Sequence, residues 1–432
     1  MSRRSIVILA VLVMLGTWGI RHAIDRGGAA STPVTSTTDP GFCPRDGLNP
    51  PQRLPGLRDI TSISFVDSRL IAIDRKGNVW TYFRGESTCA DPAPVKVLAA
   101  DTAMKLHPQA GLPREAHRAS ILMNGQAIIS LGLEFPDRCG TAGVACTPSK
   151  MAGLDKIVAS ASGDRHMLVA RADGSLWSSG MNDCGQLGRE GGNAYVEYFK
   201  QVPGISGIVS VAAGMRSSMA LDAKGTVFTW GNLSNPLFSS PTSSPAAGAL
   251  YCPYETREWA GHRLSGERDD YPREVAGLPR IRQIASYYAS DLALDTDGQV
   301  WGWGFNSCGQ LGVNPGKGPD QIEYYLDRPH RIEGLPLIQA IASGKRHSLA
   351  LDNEGRVWAW GENSDTELGE RIDLSKDGSP ACSNEYGRGT LAGFTAVPRL
   401  VPGIGKTVAI AAGYNSSAAI DAHGDVWVWG RH

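Results

Sequence analysis

One phrase recurs along this chain, and it restricts the fold more than any other feature. A Gly opens a short apolar run, an Asp-x-x-Gly step follows, and a Val-Trp-x-Trp-Gly segment closes it. The fullest copies start at Gly344 (GKRHSLALDNEGRVWAWGEN) and Gly413 (GYNSSAAIDAHGDVWVWG). Anchored on the turn glycine there are seven copies, at Gly77, Gly125, Gly174, Gly225, Gly298, Gly355 and Gly424, with gaps of 48, 49, 51, 73, 57 and 69 residues. Three residues past each anchor stand Trp80, Ile128, Trp177, Phe228, Trp301, Trp358 and Trp427. Eight residues before it stand Arg69, His117, His166, Ser217, Ser290, His347 and Ser416. Of the 11 Trp only Trp18 and Trp259 lie outside the phrase. Aromatic residues placed this regularly are a packing device repeated once per structural unit.

The runs within a unit are about five residues long and rich in β-branched and aromatic residues, which is strand length rather than helix length. Asp-x-x-Gly between two of them is a turn, where Gly supplies positive φ and Asp caps the backbone. Ile338–Ala342, Ile208–Ala212 and Val408–Ala412 predict a strand upstream, and pieces such as Pro398–Val401 a fourth downstream. Gly at 52 of 432 residues suits a turn-rich β chain, and without a G-x-y period collagen is excluded. Four strands per ~50 residues predict a propeller blade. One blade cannot bury both its faces, so blades must stack about an axis. The expected fold is all-β, a propeller of seven equivalent blades.

Asn182–Gly188 (NDCGQLG) and Asn306–Gly312 (NSCGQLG) follow the last strand of their phrase, and Asn363–Gly369 (NSDTELG) is a worn version. With these pieces the unit resembles the repeat of the RCC1 (regulator of chromosome condensation) family, from about Pro51 to His432. The resemblance implies a seven-bladed propeller and a regulatory, protein-binding role. Some members act as exchange factors for a small nuclear GTPase, an activity that an export signal and a near-neutral charge argue against here, and secreted bacterial relatives of this fold include inhibitors that cap an enzyme. Repeats 1 and 2 depart from the pattern: Phe83 replaces the terminal Gly of the first, and the second spaces Gly125 to Gly132 one residue longer. The last copy stops at His432 without a fourth strand. Pro51–Leu57 looks like the fourth-strand pieces at Pro272 and Pro398, so the N-terminal segment is expected to supply the strand missing from the last blade.

Ser5–Ile20 is uncharged and follows Arg3 and Arg4, the pattern of a secretory signal. Arg21–Arg26 makes a poor cleavage site, which favours an uncleaved anchor over a cleaved signal. Residues 1–28 are thus expected to be a signal peptide or anchor, 29–42 a flexible linker, and 43–432 the propeller. This would be a single-pass or secreted protein on the periplasmic or extracellular side. It would be a monomeric ring, touching the membrane through residues 5–20 only. Lys plus Arg (42) balances Asp plus Glu (43), which argues against a nucleic-acid partner.

Eight cysteines without a CxxC pair fit disulfides in an oxidising compartment better than metal binding. Cys184 and Cys308 sit at one repeat position, each a blade upstream of an insertion cysteine, which predicts Cys184–Cys252 and Cys308–Cys382. Cys139 with Cys146 and Cys43 with Cys89 complete the set. The insertions carry aromatic and acidic residues: Tyr195, Glu197 and Tyr198 after repeat 3, Tyr324 and Tyr325 after repeat 5, Tyr254 and Trp259 after repeat 4, Tyr386 after repeat 6. Such residues on one face suit a protein interface; equally, they can simply pack the insertions onto the ring. His117, His166 and His347 share a position with Ser217, Ser290 and Ser416 and read as structural hydrogen-bonding groups. Asp74, Asp222, Asp295, Asp352 and Asp421 read as turn residues. No nucleophile elbow, zinc or P-loop motif occurs, and no cofactor or metal site is expected. The expected function is protein binding, inhibitor-type included. An enzyme or carbohydrate-binding protein using the axial pocket, or a structural envelope component, are the alternatives.

Overall fold

The computed structural model describes residues 50–66, 69–82, 93–98, 108–109, 120–123, 127–130, 149–151, 154–163, 166–190, 196–232, 258–259, 262–263, 268–315, 325–370, 382 and 393–431. Among them every regular element is a strand. Repeats 3 to 6 each form one four-stranded antiparallel blade, paired in chain order. Blade 3 is Ile157–Ser162, His166–Arg171, Leu176–Gly180 and Val196–Gln201. Blade 4 is Ile208–Ala213, Ser217–Asp222, Val227–Asn232 and Arg268–Glu274. Blade 5 is Ile281–Tyr287, Ser290–Asp295, Val300–Phe305 and Tyr325–Arg331. Blade 6 is Ile338–Ser343, His347–Asp352, Val357–Glu362 and Phe394–Leu400. Blade 1 is Ile60–Val66, Arg69–Asp74, Val79–Tyr82 and Val95–Leu98. In all of these, and in blade 7, the register slips once near the start of the first strand, as between Ile338 and Ala340 or Thr407 and Ala409. A bulge repeated at one position is a designed bend and marks these blades as copies of one design.

Blade 7 is Thr407–Ala412, Ser416–Asp421 and Val426–Gly430, completed by Gln52–Arg53 from the other end of the chain. Gln52 pairs with Val428 and Arg53 with Trp427, and Leu54 N donates to Val426 O at 2.8 Å. The N-terminal segment does supply the missing strand, and an otherwise bare edge is paired.

Repeat 2 departs from the expectation of seven equivalent wedges. Among the described residues six regular blades are present, and this repeat forms a different four-stranded sheet in the order Pro108–Gln109, Ser149–Met151, Ala127–Ser130, Ser120–Met123. Its outer pair is parallel, Pro108 against Lys150. The local sequence explains the difference: Met123-Asn124-Gly125 lacks the turn aspartate, and Ile128 replaces the tryptophan that such an aspartate holds elsewhere.

The apolar cores lie between blades rather than within them. Leu168 and Leu176 of blade 3 pack with Val211 and Trp230 of blade 4. Leu294 and Val300 of blade 5 pack with Ile341 and Trp360 of blade 6, and Leu351 and Val357 of blade 6 with Trp429 of blade 7. Second strands such as His347–Asp352 are buried along their whole length, because a neighbour covers each face. This is why SLALD runs apolar instead of alternating. The outermost strands carry Pro272, Pro329 and Pro398, which blunt the exposed edges.

Candidate functional site

The antiparallel order within a blade divides the molecule into two faces. The turns between second and third strands and the passages from one blade to the next share one face. The loops between first and second strands and the connections between third and fourth strands share the other. On the first face connections are short and alike: residues 353–356 for a turn, 401–406 for a passage. On the second, residues 233–267 join two strands of blade 4 and residues 363–393 two strands of blade 6.

The trimmed face is built on one device. Asp352 Oδ1 accepts the amides of Glu354 and Arg356, both at 2.9 Å, while Oδ2 accepts the Trp358 indole N–H at 2.9 Å. Asp74 with Trp80, Asp295 with Trp301, and Asp421 with Trp427 repeat it at 2.9–3.0 Å. Burial pushes the Asp352 carboxyl up, but the hydrogen bonds from Trp358 and Arg356 outweigh it and hold the group below its ordinary value. Repeat 4 has Phe228 and keeps only the two amide bonds to Asp222. The turn aspartates are structural, as the sequence implies.

The elaborated face is built on the Asn-x-x-Gly-Gln-Leu-Gly segment. Asn182 Oδ1 accepts Leu187 N and its amide donates to Arg189 O, at 2.9 and 3.0 Å. Asn306 and Asn363 do the same for Leu311 and Leu368. This folds the segment back so that the Gln186 carbonyl points into the next blade. There it accepts the Trp230 indole at 3.0 Å and the Ser218 hydroxyl at 2.8 Å. The Gln310 carbonyl takes Trp360 and Ser348, both at 2.8 Å, and the Glu367 carbonyl takes Trp429 at 2.8 Å and Ser417 at 3.0 Å. The two tryptophans of the phrase therefore have different tasks: the first caps its own turn, the second ties its blade to the preceding one. The glycine after the second is required, since at Gly361 (φ +105°) a Cβ would lie 2.4 Å from Arg346 O.

His166 and His347 are fully buried, with Nε2 2.9 Å from Ser218 Oγ and 3.0 Å from Ser417 Oγ. Each serine gives its proton to a carbonyl, so the ring nitrogen is the donor. Burial pushes both pKa values down to about 4. They are structural groups, as expected.

The loops between first and second strands on this side hold Arg216, Tyr288, Lys345, Arg346, Tyr414 and Asn415. Lys345 is only 4% exposed. Its ammonium lies 3.8 Å from the centre of the Tyr414 ring and hydrogen-bonds that residue's hydroxyl, with the centre of the Tyr288 ring 5.6 Å away. Tyr288 has φ +57°, a left-handed conformation that costs a non-glycine residue about 1 kcal/mol or more and marks a constrained position. The sequence reading missed this cluster, although Lys345, Tyr414 and Tyr288 all fall just after the opening position of the phrase.

Of the expected partner-binding residues, Tyr195, Tyr254, Tyr324 and Tyr386 lie outside the described residues. Tyr198 is 58% exposed. It sits on the outer strand Val196–Gln201 with Glu197, and Tyr325 opens the outer strand Tyr325–Arg331. The sequence pattern reads these stretches as loops. They are strands, because the pairing Val196↔Gly180 and Tyr325↔Phe305 runs past the bulge to the blade's upper edge. Trp259 lies on a small hairpin with His262. Cys308 and Cys382 are bridged, the pairing read from the sequence, with Cα atoms 5.0 Å apart. Cys184 is also disulfide-bonded; Cys252, Cys43, Cys89, Cys139 and Cys146 lie outside the described residues. Among the described residues no cluster of His, Cys, Asp and Glu could hold a metal ion, and no helix is long and apolar enough to cross a membrane. Residues 5–20 are not among them.

Comparison with known proteins agrees with this geometry. A model of the regulator of chromosome condensation (RCC1) repeat matches residues 173–221, 297–351 and 354–420, and a second model of that repeat matches 157–186, 281–310 and 338–366. The chain is 27% identical to the RCC1 domain-containing protein RUG3, mitochondrial, of Arabidopsis thaliana, over 60% of this chain and 62% of that protein, so it spans less than two thirds of this relative. It is 27% identical to Protein RCC1 of Candida albicans over 66% of this chain and 74% of that one. Prp20p of Saccharomyces cerevisiae, a protein studied for binding to Gsp1p and histones, superposes with a TM-score of 0.58 at 18% identity, covering 86% of this chain and 82% of that one. Residues 157–221 and 281–420 thus match RCC1 repeats, and the chain is similar to RCC1-repeat proteins.

Proposed function

We propose that this chain is an exported, membrane-tethered RCC1-type propeller that binds a protein partner through its elaborated face, capping it in the manner of an inhibitor. The observation that carries the reading is asymmetry: long insertions share one face, while the other is reduced to short, similar turns. A binding surface needs variety, whereas a scaffold surface needs only to close. The sheet of repeat 2 is read as the seventh wedge, between blades 1 and 3. In support, Ser120–Met123 lies alongside the first strand of blade 3. Export is supported by the uncharged stretch Ser5–Ile20 and by disulfide-bonded Cys184, Cys308 and Cys382.

The test is affinity capture of the full-length chain from its own membranes, in three forms. Wild type should retain one partner. Tyr198→Ala, at the elaborated rim, should lose it at least tenfold, and Leu337→Ser, 54% exposed on the trimmed face, should not. Equal loss with both variants, or none with either, sinks the face assignment. Protease added outside intact cells should cut the tethered protein; full protection would sink export.

A further inference from the structure

Repeats 3 and 5 carry Gln at the centre of the blade-joining segment, and repeat 6 carries Glu367. In the first two, the glutamine Oε1 accepts the cysteine amide two residues back at 2.8 Å, while the side-chain N–H₂ donates onward, from Gln186 to Asp183 and from Gln310 to Ser290. In repeat 6, Glu367 Oε2 accepts Asp365 N at 2.9 Å. Its other oxygen is buried and has no hydrogen-bond partner, and the residue is 1% exposed. A carboxyl group reproduces the acceptor-plus-donor pattern of an amide only when it is protonated. Burial, then the charges of Glu362 and Asp365, push this group well above the ordinary value of 4.5.

We propose that the seam between blades 6 and 7 is a proton-dependent joint: Glu367 holds it shut as a neutral acid standing in for glutamine, and loss of that proton loosens blade 7. The joint is consequential because blade 7 also receives the strand Gln52–Arg53, so a loosened blade 7 weakens the closure of the ring. The charged and titratable groups on the elements meeting here are Glu362, Asp365, Arg346, Lys345 and His347 from blade 6, and Tyr414 and Arg431 from blade 7. Glu362 faces Arg346 at 3.9 Å and the Ser364 hydroxyl at 2.7 Å, and Asp365 accepts the Asn415 amide at 2.6 Å. Both acids thus have polar partners, whereas one oxygen of the Glu367 carboxyl is buried without any.

The folded state favours the neutral acid. The seam's stability is therefore complete below about pH 4.5 and declines as pH rises through the raised value. His347 acts in the opposite sense, losing stability as pH falls from 6.5 towards about 4. It is unchanged in a Glu367→Gln variant and cancels in the comparison.

The experiment is hydrogen exchange of the full chain, wild type against Glu367→Gln, from pH 5 to 9. Peptides over Ser416–Asp421 and Val426–Gly430 are compared with the Gln186-tied strand Ser217–Asp222. Wild-type protection in blade 7 should fall relative to the variant by tenfold or more across the range, since each tenfold drop in proton concentration between the ordinary carboxyl value and the raised one weakens the seam by about the same factor. Blade 4 should not change. A ratio for blade 7 that is constant with pH, or a parallel change in blade 4, overturns the proposal. Infrared spectra give a second reading that does not depend on the variant's stability. Wild type at neutral pH should show a protonated-carboxyl carbonyl band that titrates with the loosening of blade 7, and absence of any such band also overturns it.

Discussion

The seam between blades 5 and 6 and the seam between blades 6 and 7 share a plan and differ in chemistry. In the first, Gln310 is neutral at every pH, Gly309 takes positive φ without strain, and Cys308 is bridged to Cys382 in the insertion of blade 6. In the second the equivalent residues are Glu367, Thr366 at φ +64°, and Asp365, which holds Asn415 of blade 7 by a hydrogen bond instead of a covalent one. The seam between blades 4 and 5 departs further. Blade 4 lacks the joining segment, and Trp303 turns to Asp291 of its own blade. Trp303 is 6% exposed, where Trp230, Trp360 and Trp429 are fully buried. A repeated fold can therefore keep its geometry while individual joints are given different strengths and sensitivities.

The largest effect that tests this contrast is loss of a joining tryptophan. Trp360→Ala removes a fully buried indole and its bond to Gln310, and should cost about 3–5 kcal/mol in denaturant unfolding. The half-buried Trp358→Ala, which only caps a turn, should cost about 1–2 kcal/mol; equal losses would erase the distinction between the two tryptophans. Next, replacing Cys308 and Cys382 together by Ser opens a loop spanning a sequence separation of 74. It should cost roughly 2–4 kcal/mol, bringing the 5–6 seam down towards its neighbour. Asp291 comes third. Burial raises its carboxyl to about 6, with the Ser286 hydroxyl and Trp303 indole pulling partly back. Its folded value lies above the ordinary 3.8, so its contribution is full below that pH and is lost as pH rises through about 6. Wild type should lose about 2–3 kcal/mol over that interval relative to Asp291→Asn, read as the pH dependence of unfolding midpoints. The smallest effect is Thr366→Gly, which restores the residue type of the sibling segments and should gain about 0.5–1 kcal/mol. A loss there would show that the threonine's own contacts outweigh its backbone strain.

Much of this was legible in the chain itself. The spacing of Gly77, Gly174, Gly225, Gly298, Gly355 and Gly424 located six blades, Pro51–Leu57 foretold the closing strand, and the shared position of Cys184 and Cys308 led to the bridge with Cys382. Other features were not legible. Period and composition cannot separate Trp358 from Trp360, because their tasks differ only in which blade each indole faces. Tyr198 and Tyr325 read as loop residues because the outer strands begin beyond a bulge, where alternation breaks. The Lys345–Tyr288–Tyr414 cluster assembles residues from three blades and has no local signature.

The sequence by itself determined the unit, since a turn aspartate, a turn glycine and a tryptophan at fixed offsets satisfy one another within a single hairpin. Only the tertiary structure decided which units became equal wedges, which face was elaborated and which acids lost their water. Those properties depend on what lies across each seam, and a residue's neighbour across a seam is some fifty positions away in the chain.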